Sequence, residues 1–470
     1  MAILAAFMVP HPPMIVPQVG RGSEKQIMKT IRAYEQVADE IAALQPETII
    51  ITSPHSVMYS DYFHISPGRS AKGNFGSFRA PQVSFEETYD AELVLAISAL
   101  AKESGFPAGP MGERDKRLDH GTMVPLYFVR QKYTGGKIVR IGLSGLPLTE
   151  HYRLGILIRE AVEQLGRRAV FIASGDLSHK LQEYGPYGFA PEGPRYDARI
   201  MDVCARAAFG ELFDFDENFC DKAAECGHRS FVIMAGAFDG TAVKATRLSH
   251  EDVTGVGYGI CTFYPENGEG GENGPRGEDR HFLARYLEQA TEKMASMRET
   301  EDAYVRLARQ SLETYIRQHR RMKMPDDLPA ELLQKRAGAF VSIHEHGRLR
   351  GCIGTIAPTQ DSVAEEIIQN AISASTRDPR FDPIREDELA YLEINVDVLG
   401  EPEPIRSKDQ LDVKRYGVIV SKGVKRGLLL PDLEGVDTVE EQIRIAKSKA
   451  GIAEWDPHVQ LQRFEVVRHR

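Results

Sequence analysis

The sequence predicts an α/β N-terminal domain with a central mixed sheet flanked by helices, and a separate α+β C-terminal domain. Three observations predict this architecture. At 470 residues the chain is too long for a single core, so two or three domains are expected. Apolar strand-like runs alternate with helical patterns over the first 265 residues, which is typical of a sheet covered by helices. In the remainder, strand-like runs follow one another as hairpins, which is typical of an α+β domain.

The elements of the first domain follow from its apolar periodicity. Four short apolar runs are predicted strands, at residues 3–9, 48–52, 137–142 and 169–173. Helical patterns separate them, at residues 23–44, 90–104 and 149–165. Ser23 has the capping-box spacing to Gln26, so we expect the first of these helices to begin there. Two further helices and then two consecutive strands close the domain, at 216–226, 230–238, 242–248 and 257–263. Consecutive strands predict a mixed rather than a purely parallel sheet.

A glycine-rich, acidic stretch divides the chain. It lacks apolar periodicity and reads as a flexible linker. The predicted organisation is a first domain at 1–265, a linker at 266–280 and a second domain at 281–470. The elements predicted for the second domain are helices at 300–319, 361–375 and 438–449, hairpins at 339–354 and around Lys422-Gly423, and strands at 392–398 and 460–467.

The bulk composition is that of an ordinary globular protein, 42% hydrophobic and 27% charged. A net charge of −10 argues against a nucleic-acid partner, because neutralising phosphates needs a basic face. No apolar run approaches the length of a membrane span, and Met1 leads directly into a strand rather than a secretory signal. The five cysteines lack CxxC spacing: Cys204, Cys220, Cys226, Cys261 and Cys352. We therefore expect reduced thiols and a cytoplasmic protein without membrane partners.

Three predicted strands end in the same way, with a sharp polar turn and then a histidine. The histidines are His11, His55 and His179. Any one of them is readily explained as a half-exposed turn residue. However, ligand sites in α/β domains lie beyond the carboxyl ends of the strands, where side chains distant in sequence converge. Prolines beside His11 and His55 stiffen their turns. The repeated pattern predicts a metal or acid–base centre.

Two more segments carry groups of the same chemistry. His120 stands at the mouth of an apolar helix, and Glu225 and Cys226 stand near a helix end. Glu225 is equally explained as a solvated helix-face residue, and Cys226 as a small core residue. Combined with His11 and His55, Glu225 would complete a two-histidine, one-carboxylate triad, which is the pattern of non-haem Fe(II) oxygen chemistry.

These segments resemble a known family. Val-Pro-His11-Pro-Pro, Ser-Pro-His55-Ser, Asp-His120-Gly-Thr and Ser-Gly-Asp-Leu-Ser-His179 are similar to motifs of the class III extradiol ring-cleavage dioxygenases. The similarity is to their catalytic B-type subunit and to the related Memo family. In the second part, Leu-Arg-Gly-Cys352-Ile-Gly-Thr, Asp-Pro-Arg-Phe and Leu-Gln-Arg-Phe resemble the AMME-region domain. The combination is that of the AmmeMemoRadiSam grouping.

The resemblance implies a metal centre. His11 and His55 match the two histidine ligands of Fe(II), or of another divalent metal in the same place. Glu225 is the nearest match to the carboxylate ligand, although Memo-like relatives carry a cysteine in this neighbourhood, which would be Cys226.

The resemblance also implies roles in catalysis. His179 matches the acid–base histidine, with Asp176 orienting it, and His120 matches a histidine that contacts substrate or oxygen. The implied reactants are a small catechol-like aromatic and dioxygen. The grouping further implies a radical-SAM system partner and self-association. Two alternatives stay open, namely a non-catalytic Memo-like metal-binding or regulatory protein and a metal-dependent hydrolase using the same histidines. Cys352 is either a nucleophile or a buried strand residue.

Overall fold

The structure is a computed structural model that describes residues 3–266, 280–345, 348–433 and 435–470. It divides into two compact units, Met1–Leu287 and Glu288–Arg470. Most of the predicted linker at 266–280 and the tip of the first predicted hairpin, His346-Gly347, lie outside the described residues. No helix in the described part of the chain is long and apolar enough to span a membrane.

The described residues of the first unit form ten strands and the helices that connect them. The strands are β1 (Ile3–Val9), β2 (Thr48–Ser53), β3 (Phe63–His64), β4 (Ser70–Phe75), β5 (Ala80–Thr88), β6 (Ala108–Gly109), β7 (Lys137–Gly142), β8 (Ala169–Ser174), β9 (Val243–Glu251) and β10 (Tyr258–Pro265). The helices are α1 (Pro17–Gly20), α2 (Met28–Leu44), α3 (Ala91–Glu103), α4 (His120–Lys132), α5 (Leu148–Gln164), α6 (Glu192–Ala205), α7 (Glu217–Ala223) and α8 (His228–Gly236), followed by α9 (Phe282–Thr300).

Six of these strands form one sheet, in the order β7-β2-β8-β1-β10-β9. The first four run parallel, whereas β10 and β9 pair antiparallel. The predicted mixed sheet is confirmed. Strands β2 and β8 are buried along their whole length, as expected of parallel strands covered on both faces. Because β1, β2 and β8 are parallel neighbours, their carboxyl ends meet at one edge of the sheet.

Helices cover both faces of this sheet. The alternation of side chains along β1 sends Ala6 and Met8 into one apolar cluster and Phe7 and Val9 into the other. The first cluster includes the inner faces of α3, α5 and α8, and the second those of α2 and α4. The two clusters together fix the strands from both sides, so the strand ends are held firmly.

The first unit differs from the sequence expectation at the start of α2, at a hairpin, and at α6, a helix that was not predicted. Helix α2 begins at Met28, because Gly22 has a positive φ of 105° and residues Ser23–Ile27 form a 3-10 turn instead. The Ser23 side chain does not cap it; the Glu24 carboxylate accepts a hydrogen bond from the Gly22 N–H at 2.7 Å. The second difference is the unpredicted hairpin of β4 and β5, which forms a two-stranded sheet of its own.

The second unit is α+β, as predicted. Its helices are α10 (Ala303–Gln318), α11 (Ala330–Gln334), α12 (Val363–Thr376) and α13 (Val439–Lys449). Its strands are β11 (Ala339–Glu345), β12 (Arg348–Gly354), β13 (Leu392–Leu399), β14 (Glu403–Ile405), β15 (Gly417–Lys422), β16 (Lys425–Leu429), β17 (Gln460–Phe464) and β18 (Val466–His469). They form two antiparallel sheets, β12-β11-β13-β18 and β14-β17-β15-β16. The strand predicted at 460–467 is therefore two strands, β17 and β18, one in each sheet.

Candidate metal centre

Three histidines converge at the edge where the parallel strands end. His11 follows β1, His55 follows β2, and His120 is the first residue of α4. The Nε2 atoms of His11 and His55 lie 3.0 Å apart, and the rings of His55 and His120 are 3.9 Å apart between centroids. The sequence expectation that distant strand ends bring histidines together is thus reproduced in the fold.

The hydrogen bonds of His11 define which ring nitrogen faces the centre. Its Nδ1 lies 3.0 Å from the Ser174 hydroxyl, whose own hydrogen is donated to the Gly121 carbonyl at 2.6 Å. Ser174 therefore accepts a hydrogen bond from the Nδ1–H of His11, which leaves the lone pair on Nε2. Such a second hydrogen bond is typical of a metal-ligating histidine. Burial, followed by the nearby His55, keeps the pKa of His11 well below its usual range, which favours the neutral ligand form.

Cys226 is the third potential ligand that the structure brings to this pair. Its Sγ lies 3.6 Å from His11 Nε2, and ligand atoms of His11, His55 and Cys226 all fall within 4.8 Å of one another. A close backbone approach places it there. A Cβ on Gly175, in the turn after β8, would collide with the backbone of Gly227, so neither glycine has room for a side chain.

Glu225, the predicted carboxylate ligand, is not part of this group. Its Oε2 accepts a hydrogen bond from the backbone N–H of His228 at 2.6 Å, at the start of α8. Burial raises the pKa of Glu225 to about 7. Ala224 has a left-handed φ of 53°. After this turn, the Glu225 carboxylate and the Cys226 thiol reach different partners. The structure therefore assigns Glu225 a contact at a helix N-terminus, and Cys226 the place beside the histidines.

The donor set fits a divalent transition metal. Imidazole nitrogen and thiolate sulfur are ligands that such metals take, and the separations of 3.0 Å between the His11 and His55 Nε2 atoms and 3.6 Å between Cys226 Sγ and His11 Nε2 are short enough for one ion to be held by all three. Burial raises the pKa of the Cys226 thiol, but its Sγ also accepts the Asp176 N–H at 3.3 Å, and a bound cation displaces the thiol proton.

His179 and Asp176 stand together next to this group, on the turn that follows β8. Asp176 Oδ1 accepts the backbone N–H of His11 at 2.7 Å, while its Oδ2 lies 4.0 Å from His179 Nε2. The Nδ1–H of His179 donates to the Ala224 carbonyl, so its Nε2 carries the lone pair. Burial raises the pKa of Asp176, and the neighbouring His179 opposes that rise. Asp176, His179 and Cys226 form a second set of ligand atoms within 4.8 Å, which shares the thiol with the first.

His120 is held at the start of α4 by Asp119, which caps the helix. The Asp119 carboxylate accepts the Thr122 N–H at 3.0 Å and the Ser53 hydroxyl at 2.6 Å. Burial, then the proximity of His55 and of His11, lowers the pKa of His120 to about 3. His120 is therefore a neutral imidazole at physiological pH, able to donate one hydrogen bond.

A cavity of about 880 Å³ opens from His55 and His120 toward the β4–β5 hairpin. Its apolar lining residues are Val57, Phe78, Phe85, Leu118 and Met123. Two ion pairs stand in the same lining, Lys72 with Glu86 and Arg117 with Asp115. This side of the cavity was not predicted from the sequence. The alternating pattern of residues 80–88 was the available signal for a strand, but nothing in it points to the histidines.

Comparison with known proteins shows which families the two parts of the chain match. The description "Catalytic LigB subunit of aromatic ring-opening dioxygenase" matches residues 5–261, more than half of the chain. The chain belongs to the LigB family. Residues 305–469 match AMMECR1, so this LigB-family protein carries an AMMECR1 unit after its first domain. The resemblance read from the histidine motifs is confirmed.

Several known proteins and solved structures are similar to all or part of the chain. Protein CA_C1420 of Clostridium acetobutylicum is 41% identical over 479 aligned positions and covers 100% of both chains. A protein of Thermotoga maritima is 54% identical over 171 residues, 36% of this chain and 98% of its own. Among solved structures, uncharacterized protein PH0010 of Pyrococcus horikoshii is 33% identical, covering 35% of this chain and 88% of its own, with a TM-score of 0.34. Uncharacterized protein JW3007 of Escherichia coli K12 is 13% identical, covering 55% of this chain and 99% of its own, with a TM-score of 0.38.

In the AMMECR1 unit, Cys352 is a half-buried residue of β12. Its Sγ accepts a hydrogen bond from the Ser342 hydroxyl at 3.2 Å, and its backbone N–H donates to Asp378 at 2.9 Å. Burial raises the pKa of its thiol. These contacts describe a half-buried strand residue held by its neighbours.

Proposed function

We propose that this LigB-family protein is a non-haem Fe(II)-dependent, extradiol-type dioxygenase that acts on a catechol-like aromatic. The observation that carries the proposal is the convergence of His11, His55 and His120, with His179 beside them, where an accessible cavity opens from His55 and His120. The AMMECR1 unit is proposed to be an accessory domain that acts with a radical-SAM partner. All five cysteines of the chain, four in the first unit and Cys352 in the second, are free, which supports a reducing, cytoplasmic setting.

Iron would be held by His11, His55 and the thiolate of Cys226. When bound, it would supply a Lewis acid that lowers the pKa of a catechol hydroxyl and a position at which dioxygen meets the ring. His55 is exposed toward the cavity, whereas His11 is buried, so substrate would approach from the His55 side.

His179 is proposed to accept a catechol proton. Its Nδ1–H is engaged by the Ala224 carbonyl, so the free lone pair of Nε2 is the base. Asp176, 4.0 Å from that nitrogen, would stabilise the imidazolium that results. The fixed position of His179 suits a proton acceptor in a small site, because proton transfer needs heavy atoms within hydrogen-bond reach.

His120 is proposed to stabilise negative charge that develops on oxygen during the reaction. A neutral imidazole can donate a hydrogen bond to that charge, and the low pKa of His120 ensures the neutral form. Phe78 contacts the His120 ring edge-on at 5.3 Å between centroids. This aromatic contact would exclude water from the same side and orient the substrate ring.

One observation favours a second candidate function. Cys226 stands where a carboxylate completes the usual iron triad, and a thiolate makes the site softer and better suited to copper or zinc. A non-catalytic metal-binding or regulatory protein is therefore the second candidate. A hydrolase using metal-bound water is a third reading of the same residues.

The proposal is tested by the variant His179→Gln, assayed for dioxygen uptake with a panel of catechols after anaerobic loading with Fe(II). We expect iron content to stay unchanged and the rate to fall by about 10²–10⁴-fold, as for loss of a general base. His281→Gln is the matched control, because His281 pairs with Asp239 at 2.8 Å in another part of the unit. A fully active His179→Gln variant would refute the proton-accepting role.

A further inference from the structure

We propose that Arg140 is the positioning residue of His120. Arg140 lies on β7 and holds residues 115–119, which we call the wall segment, against that strand. His120 directly follows the wall segment. This inference rests on the proposed function, because it concerns the histidine assigned to the oxygen side of the same site. Arg140 is not expected to touch substrate or metal.

The Arg140 guanidinium makes three hydrogen bonds, two of them to the wall segment. Its side chain is 1% exposed, and its Nε donates to the Ser66 hydroxyl at 2.8 Å. Its Nη1 donates to the Arg117 carbonyl and its Nη2 to the Asp115 carbonyl at 3.2 Å. The guanidinium therefore binds two backbone positions of the wall segment at once.

Arg140 also faces the carboxylate that ends the wall segment. Its Nη1 lies 3.8 Å from Asp119 Oδ2. The same carboxylate caps α4 through Thr122 and is bound by the Ser53 hydroxyl at the end of β2. Asp119 is thus fixed between the sheet and the helix, and His120 is the next residue.

A buried charge at this place needs an explanation beyond packing. Burying a guanidinium is costly unless its donors are satisfied, and an apolar side chain of similar size usually serves stability as well. Here two of the donors bind the carbonyls of Arg117 and Asp115, whose own side chains are 82% and 50% exposed. Lysine cannot replace this arrangement, because a single ammonium does not span two carbonyls and a hydroxyl in a planar fork.

The test compares Arg140→Lys with a matched control, Arg130→Lys. Arg130 is also a mostly buried arginine of the first unit that binds a carboxylate, Glu87 at 2.6 Å, together with backbone carbonyls. It lies at the opposite end of α4 from His120. Both variants are loaded with Fe(II) without oxygen. Three quantities are measured: iron content, hydrogen exchange of the peptide spanning 113–123, and the rate at which diethylpyrocarbonate modifies His120. Binding of 4-nitrocatechol is titrated as a fourth.

For Arg140→Lys we expect unchanged iron content, exchange and His120 modification about tenfold faster, and 4-nitrocatechol binding about tenfold weaker than in the parent protein. Arg130→Lys should match the parent protein in all four. The proposal is overturned if Arg140→Lys behaves as Arg130→Lys, or if it loses iron in parallel with probe binding, as a purely structural residue would. If the parent protein itself does not bind 4-nitrocatechol, the proposed function fails, while exchange and His120 modification still decide the role of Arg140.

Discussion

At the scale of single residues, the choice between Cys226 and Glu225 has the largest consequence. Cys226 Sγ is within ligand distance of the histidine pair, whereas the Glu225 carboxylate accepts the His228 N–H. We therefore expect Cys226→Ala to weaken iron binding by more than about 100-fold, because a direct ligand is lost. Loss of a residue that only hydrogen-bonds a metal ligand already lowers metal affinity by about 10–100-fold. Glu225→Gln, whose amide oxygen can still accept that hydrogen bond, should retain iron. Metal analysis after dialysis measures both, and iron loss only in Glu225→Gln would contradict this assignment.

The sequence was sufficient to select most of these residues but not to choose between two neighbours. His11, His55 and His179 follow parallel strands, so their convergence is a consequence of the fold class. Glu225 and Cys226 are adjacent, and which of them reaches the histidines depends on the left-handed turn at Ala224 and on the contact between Gly175 and Gly227. Neither is visible in a local pattern. Ser174 and Arg140 were missed for the same reason, since their partners are far away in sequence.

At the scale of elements, the position of α8 depends on a backbone-to-backbone contact with α5. A Cβ on Gly155 would lie 2.7 Å from the backbone nitrogen of Ala237 and closer still to the Ile233 carbonyl oxygen. We expect Gly155→Ala to lower the free energy of unfolding by about 1–3 kcal/mol, because the helices must separate. Chemical denaturation measures this. Glu163→Ala, at an exposed position of the same helix, should change stability by less than about 0.5 kcal/mol, and equal effects of the two would contradict the packing argument.

The elements also show where pattern-based expectation ends. The parallel strands were predicted because they are continuous apolar runs, buried on both faces. The hairpin of β4 and β5 was not, because it lacks a continuous apolar run and many of its residues are exposed. Yet this hairpin supplies Phe78, Phe85 and the ion pair of the cavity lining. The part of the site that would select a substrate therefore lies in the element with the weakest sequence signal.

At the scale of the whole molecule, two units with separate apolar cores occur in one chain. All proposed ligands belong to the first. We expect calorimetry to resolve two transitions, of which Fe(II) raises only the first. A metal present at 100 times its dissociation constant stabilises by about 2.7 kcal/mol, which is a shift of about 5–10 °C for a domain of this size. Cys226→Ala should abolish the shift. A shift of the second transition, or of both, would contradict the assignment of the metal to the first unit.

The fusion of the two units is shared over the full length by the Clostridium acetobutylicum relative. The chemistry proposed for the first unit does not by itself require the second. The dioxygenase activity is therefore proposed for the first unit, and it is measured in the full chain.

The most direct test of the central claim is isotope incorporation. The intact protein is loaded with Fe(II), mixed with a catechol and supplied with ¹⁸O₂, and the product is examined by mass spectrometry. If the protein is an extradiol-type dioxygenase, we expect a ring-opened product that contains both atoms of one dioxygen molecule. We expect no such product from the His11→Ala variant. Dioxygen uptake that gives only oxidised catechol without incorporated label, or no uptake by the iron-loaded protein with any catechol tested, would contradict the account.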